Sequence, residues 1–207
     1  MRLAIPRTVD SGHQVLFSRL ITALLLAVLL GGCVAAAVGA AAGGALVATD
    51  RRSVGTVLDD QTIEVRVVDR IYSAPEFTSD DHVKVEVYKG VVLLVGEVTS
   101  EAKREIAGSR AAEVPFVERV VNELAVGPSA SLGKRLDNSW LTTKVNAALV
   151  RDNPVPGFDA TRIKVVSSLN TVYLMGLVRR AEGDAVAEVA RNVGGVEKVV
   201  KVFSYMD

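Results

Sequence analysis

The sequence predicts an α+β chain built from two tandem modules, each running α-β-β-α-β with two helices packed on one face of a three-stranded sheet. Three observations carry this. First, the chain repeats itself at a shift of 80: Val83-Lys84-Val85 falls on Ile163-Lys164-Val165, and Val92-Leu93-Leu94-Val95-Gly96 on Val172-Tyr173-Leu174-Met175-Gly176. Second, Val117–Asn122 matches Val196–Lys201 at a shift of 79, so the halves differ by one residue in between. Third, helical periodicity brackets the strand signals in the same order in both halves.

In module one (60–126), Thr62–Ser73 has the apolar spacing of an amphipathic helix. Val83–Tyr88 and Val91–Val98 follow as strands joined by Lys89-Gly90, residues suited to a positive-φ hairpin turn. A second helix is expected over 100–114, Ala-rich on one face, and a last strand over Val117–Val126. Module two (138–207) repeats the plan with helices at Ser139–Arg151 and Arg180–Val193. Its strands are Ile163–Ser167, Thr171–Val178 and Val196–Tyr205, with Leu169-Asn170 at the hairpin. Between the modules, 127–137 opens Gly127-Pro128-Ser129-Ala130-Ser131 and reads as a linker.

Ahead of the repeat, residues 1–19 are polar and basic, with Arg2, Arg7 and Arg19. The eleven-residue apolar run Leu20–Leu30 then leads to Leu30-Gly31-Gly32-Cys33. A basic segment, a short apolar run and small residues form a secretory signal, here expected over 1–32. The single cysteine permits no internal disulfide, and its place after Gly31-Gly32 resembles the bacterial lipobox. That resemblance implies a diacylglyceryl thioether on Cys33, cleavage before it and acylation of the new amine. Val34 after the cysteine, by the same rule, directs the anchor to the outer membrane. The other reading is a transmembrane helix, since no charge occurs between Leu20 and Ala48, although the second half of that span is mostly Ala and Gly. Residues 33–59 are then a lipidated N-terminus and tether.

Composition narrows the function classes. Nearly half the chain is apolar and 23% is charged, enough for a core. Without the leader, 21 basic and 23 acidic residues remain, a field that would not draw the body onto nucleic acid. His82 is the only histidine after the leader, and no P-loop, GxGxxG or GxSxG occurs. No cofactor, no metal and no enzymatic activity are therefore expected. His82, Asp80-Asp81 and Asp59-Asp60 read as loop residues and caps, and Gly96 and Gly176 as close-packing or bulge positions.

The informative surface is the first helix of module two. At 100° per residue, Leu141, Val145 and Ala148 share a core-facing side with Leu149 at its edge. Trp140, Lys144, Ala147 and Arg151 lie along a neighbouring face, with Val150 also turned outward. An indole beside cations suits a membrane interface. At the same shift of 80, module one has Asp60 and Glu64 where module two has Trp140 and Lys144, charges that would repel anionic lipid. The alternative is that Trp140 packs against the linker or module one.

The glycine-ended strand, the helix and the valine-rich strand together resemble the BON domain. Two copies behind a lipobox are similar to the dual-BON outer-membrane lipoproteins. Cys33–Ala37, Ala48–Thr56, Glu64-Val65-Arg66-Val67 and Trp140–Val145 carry that likeness, while Asn170 and Pro115 depart from it, Pro115 standing opposite Gly195. The resemblance implies two α-β-β-α-β modules with mixed sheets, and lipid contact through the helix that holds Trp140. The expected set is Trp140, Thr143, Lys144, Ala147, Val150 and Arg151, and the expected partner is anionic phospholipid such as phosphatidylglycerol or cardiolipin. It further implies a periplasm-facing protein that supports envelope integrity and barrel-protein assembly, concentrated at the division site. The rival is an adaptor whose Trp140 anchors a protein such as the β-barrel assembly machinery.

Overall fold

The computed structural model describes residues 52–206; the leader, Cys33 and most of the tether lie outside them. Module one comprises α1 (Val54–Tyr72), β1 (His82–Tyr88), β2 (Val91–Val98), α2 (Glu101–Ala112) and β3 (Arg119–Val126). Module two comprises α3 (Leu132–Asp152), a 3-10 turn (Ala160–Arg162), β4 (Ile163–Ser168), β5 (Thr171–Val178), α4 (Arg180–Arg191) and β6 (Lys198–Tyr205). Each sheet is mixed: β1 and β4 run antiparallel to the central β2 and β5, and β3 and β6 run parallel to them. The α+β class with two α-β-β-α-β modules is therefore observed.

Both first helices begin well before the positions their apolar periodicity suggests. The tether read as ending at 59 is helical from Val54, because Ser53 caps it by accepting from Thr56 N–H at 3.1 Å. The linker read as 127–137 is helical from Leu132, capped by Ser131 accepting from Lys134 N–H at 3.3 Å. A serine cap satisfies an orphan N–H and starts a helix wherever it stands, regardless of where burial begins.

Each hairpin closes through the left-handed region, with Lys89 and Gly90 at φ 52° and 69° and Leu169 and Asn170 at 47° and 62°. Gly96 has φ 119°, and a Cβ there would sit 2.0 Å from the His82 carbonyl oxygen, so β1 and β2 cross too closely for a side chain.

The core has three parts. In module one, Ile63, Val67 and Ile71 of α1 and Ala107 and Ala111 of α2 cover Val83, Val85, Val92 and Leu94. In module two, Leu141, Val145 and Leu149 with Val186 and Ala190 cover Ile163, Val172 and Leu174. The third part joins the modules: Tyr88, Val91, Leu93 and Val95 pack against Val166, Tyr173, Met175 and Val202. The sheets thus meet face to face and the helices lie outside them, giving β2 no exposed residue. Burial on both faces explains why β2 and β5 read as continuous apolar runs and not as alternating ones. Lys164 pairs with Glu86 across the joint, and Tyr88 Oη accepts from Leu177 N–H at 3.2 Å.

The acidic pairs do more than cap. Asp60 is buried, accepts from Lys89 and Gly90 N–H at 2.7 and 2.9 Å, and pairs with Arg52 at 2.6 Å, which locks the β1–β2 turn. Asp81 is buried and accepts from Lys103 at 2.6 Å and from Thr78 and Thr99 N–H at 2.9 and 3.0 Å. His82 is the first residue of β1 and partly buried, not a solvated loop residue.

Candidate functional site

Residue by residue, α3 presents two opposed sides. Leu141, Val145, Ala148 and Leu149 are buried, as their spacing predicts. Trp140 is 63% exposed and Val150 70%, and Thr143, Ala147 and Arg151 are exposed too. Trp140 therefore stands largely in solvent and is not buried against the linker or module one. Lys144 is half-buried, its ammonium reaching over to donate to the Gly194 carbonyl in the turn after α4. Arg151 forks onto Asp152 at 2.6 and 2.9 Å. A solvent-exposed pair of this kind is worth little.

Two residues absent from the sequence expectation complete the face. Leu132 and Leu136 are 74% and 62% exposed in the first turns of α3, which the sequence reading left in the linker. With the helix continuous from Leu132, the positions 132, 136, 140, 143, 147 and 150 follow one another at three- and four-residue steps. They form one stripe about 27 Å long at 1.5 Å per residue. The Ser131 cap was the signal that could have revealed it. Beside the stripe, Lys144, Ala147 and Arg151 line a groove of about 350 Å³ closed by Val189, Val193 and Gly194.

The structure also corrects the comparison between modules. Ile63, Val67 and Ile71 occupy the places of Leu141, Val145 and Leu149, a shift of 78 and not 80. The connection from α3 to β4 has grown by two residues and hides the offset. Trp140 therefore stands opposite Thr62, and Lys144 opposite Arg66. Asp60 is opposite Asn138 and is turned inward, so it is no repelling surface charge. What separates the modules here is the loss of the indole, while a cation is kept. Module one has its own exposed apolar side chain: Phe116, at φ 70° and 81% exposed, opposite Gly195 at φ 102°. Strand register aligns these two at a shift of 79, so Phe116 and not Pro115 is the counterpart of Gly195.

Among the described residues, no group of three or more His, Cys, Asp or Glu could hold a metal ion, and no helix is long and apolar enough to cross a membrane. The BON domain family model matches twice, over residues 59–128 and 137–207. The outer membrane lipoprotein DolP of Haemophilus influenzae is 39% identical over 79% of this chain and 83% of its own. A 21 kDa hemolysin of Actinobacillus pleuropneumoniae is 36% identical over 76% of this chain and 79% of its own. The osmotically-inducible protein Y of Escherichia coli is 29% identical over 75% and 77% respectively. Two α-β-β-α-β modules, matched in full by the family model and shared with relatives of this length and identity, show that the chain belongs to the BON-domain family, among its two-domain outer-membrane lipoproteins.

Proposed function

We propose that this lipoprotein recognises anionic phospholipid through the outer face of α3. The observation that carries the reading is the exposed stripe Leu132, Leu136, Trp140, Ala147 and Val150, bordered by Lys144 and Arg151. Solvent-facing apolar side chains in one row need an apolar partner, and an indole between leucines and cations matches the boundary of acyl chains and headgroups. Each cation near an anionic surface adds about 1 kcal/mol. With acyl chains on Cys33 for permanent attachment, the helix selects which patch of membrane the tethered protein occupies. In this reading the body faces the periplasm, gathers where anionic lipid is enriched, such as the division site, and supports the integrity of the outer membrane.

All three hydrophobic clusters lie within the compact unit 47–207, so that fragment tests the reading without the lipid anchor. It should co-sediment with vesicles containing phosphatidylglycerol or cardiolipin. Trp140→Ala with Lys144→Gln should weaken that binding at least tenfold, a loss of about 1.4 kcal/mol, with an unchanged far-UV spectrum. Binding undiminished in the double variant would overturn the assignment to α3.

A further inference from the structure

The repeat places two related clefts at the joint between the modules. In the first, α1 and the end of β1 meet the start of β4; in the second, α3 and the end of β4 meet the start of β1. The first is closed by its own charges, with Asp60 held by Arg52 and the β1–β2 turn, and Glu64 and Glu86 both on Lys164. The second, about 180 Å³, keeps the lysine, as Lys84, but has Asn138 and Thr142 in place of Asp60 and Glu64. Its walls include His82, Lys84, Glu97, Arg135, Asn138 and Ser139. Asn138 replaces Asp60, and its Oδ1 is buried with no hydrogen-bond partner among the described residues. Arg135 Nε is likewise buried and unpartnered, while its Nη2 donates to Ser129 at 2.7 Å. Buried polar atoms left unpaired cost stability; an outside oxyanion can satisfy the Arg135 Nε–H, while Asn138 Oδ1 needs a donor, such as the P–OH of hydrogen phosphate.

The walls indicate what fits. Arg135 brings positive charge, as does Lys84, which also pairs with Glu86 at 3.0 Å. Ser139, Thr142 and Ser167 bring hydroxyls, of which Ser139 and Thr142 also donate to the Arg135 and Asn138 carbonyls, both at 3.2 Å. The one carboxylate, Glu97, accepts from Ala130 N–H at 3.2 Å. An oxyanion bonded to guanidinium and hydroxyl groups is the ligand such a lining recognises. The volume lies below the roughly 300–1,000 Å³ of sites for drug-sized ligands. Position adds a further constraint: Arg135 and Ser139 are on α3 beside Leu136 and Trp140, so the cleft opens along the flank of the apolar stripe. We propose that the cleft between the modules is a phosphate site, built by α3 together with His82 and Lys84 of module one. Its two sources are free phosphate and the phosphodiester of a lipid whose chains lie along the stripe; the lipid source rests on the function proposed above.

The test is a set of amide-resolved NMR titrations on the 47–207 fragment with inorganic phosphate and with glycerophosphoglycerol, the deacylated headgroup, followed by vesicle co-sedimentation. Either soluble probe should shift the amides of Arg135–Thr142 and His82–Lys84, and Arg135→Gln should reduce those shifts at least tenfold at a given concentration. Lys84→Gln, at a more exposed position, should weaken them severalfold and guards against a folding defect in the first variant. If the headgroup is the source, Arg135→Gln also lowers binding to phosphatidylglycerol vesicles about tenfold. If free phosphate is the source, vesicle binding is unchanged while phosphate binding is lost. No shift at these amides with either probe overturns the phosphate site. That result, with vesicle binding still dependent on Trp140, leaves the lipid reading standing; absence of vesicle binding by the unsubstituted fragment removes the lipid reading instead.

Discussion

Asp81 illustrates how a residue with the composition of a loop acquires a structural role. It sits two residues before Val83, and its carboxylate ties the loop entering β1 to Thr99 at the end of β2 and to Lys103 on α2. Burial opposes its charge, but the hydrogen bonds from Lys103, Thr78 and Thr99 outweigh burial and hold its carboxyl well below the usual carboxylate range. A carboxyl held low in the native state binds a proton less readily than in the unfolded chain. Its contribution is therefore full above the ordinary value of 3.8 and disappears as pH falls below it. Asp81→Asn should cost about 3 kcal/mol in urea unfolding, since it leaves the Lys103 ammonium facing a neutral amide. The loss of stability below about pH 4 should also become shallower in that variant. An unchanged midpoint at pH 7 would refute the role. Asp60 was read as a surface charge for the same reason: nothing local distinguishes a carboxylate that caps a distant turn from one in water.

For α3, helix length decides how far the exposed apolar stripe extends. The apolar period identifies the buried side correctly, because Leu141, Val145 and Ala148 must follow the helical repeat to reach one core. The exposed side has no such requirement, and Leu132 and Leu136 in a polar context look like linker residues until the Ser131 cap is recognised. Leu132→Ser with Leu136→Ser should leave urea stability within about 0.5 kcal/mol, as exposed substitutions do. The same pair should weaken binding to phosphatidylglycerol vesicles several-fold, because the stripe loses its first two turns. Unaltered vesicle affinity would confine the contact to Trp140 and its neighbours. The shift of 78 between α1 and α3 shows why repeat comparison misplaces surface residues. Strands align by their pleat, but a two-residue insertion after the helix slides every helical position.

The joint between the sheets makes one body of the two modules. Leu93 is fully buried and faces the other sheet, amid Tyr88, Val95, Tyr173 and Met175. Burial pushes the Tyr173 phenol up to about 12, with Glu123 adding to the shift. Leu93→Ala should cost about 2–5 kcal/mol as a core truncation. Hydrogen exchange should quicken in β5 as well as in β2, since the two central strands share that layer. Protection in β5 that is untouched would mean that the modules unfold independently. The joint also holds His82 and Lys84 of module one against Arg135 of module two in one cleft.

The repeat, the order of elements, both hairpin turns, the core side of α3 and the residues that carry the family likeness were legible in the chain. All of these rest on short-range regularities: a period of two or 3.6, residues that accept positive φ, and a motif written twice. The sequence reading placed cover on one face of each sheet only, although β2 and β5 are continuous apolar runs. What covers the second face was not legible, because apolar sheet faces are interchangeable in sequence and only packing selects the partner. The burial of Asp60 and Asp81 likewise depends on partners 18 to 30 positions away, brought together by folding.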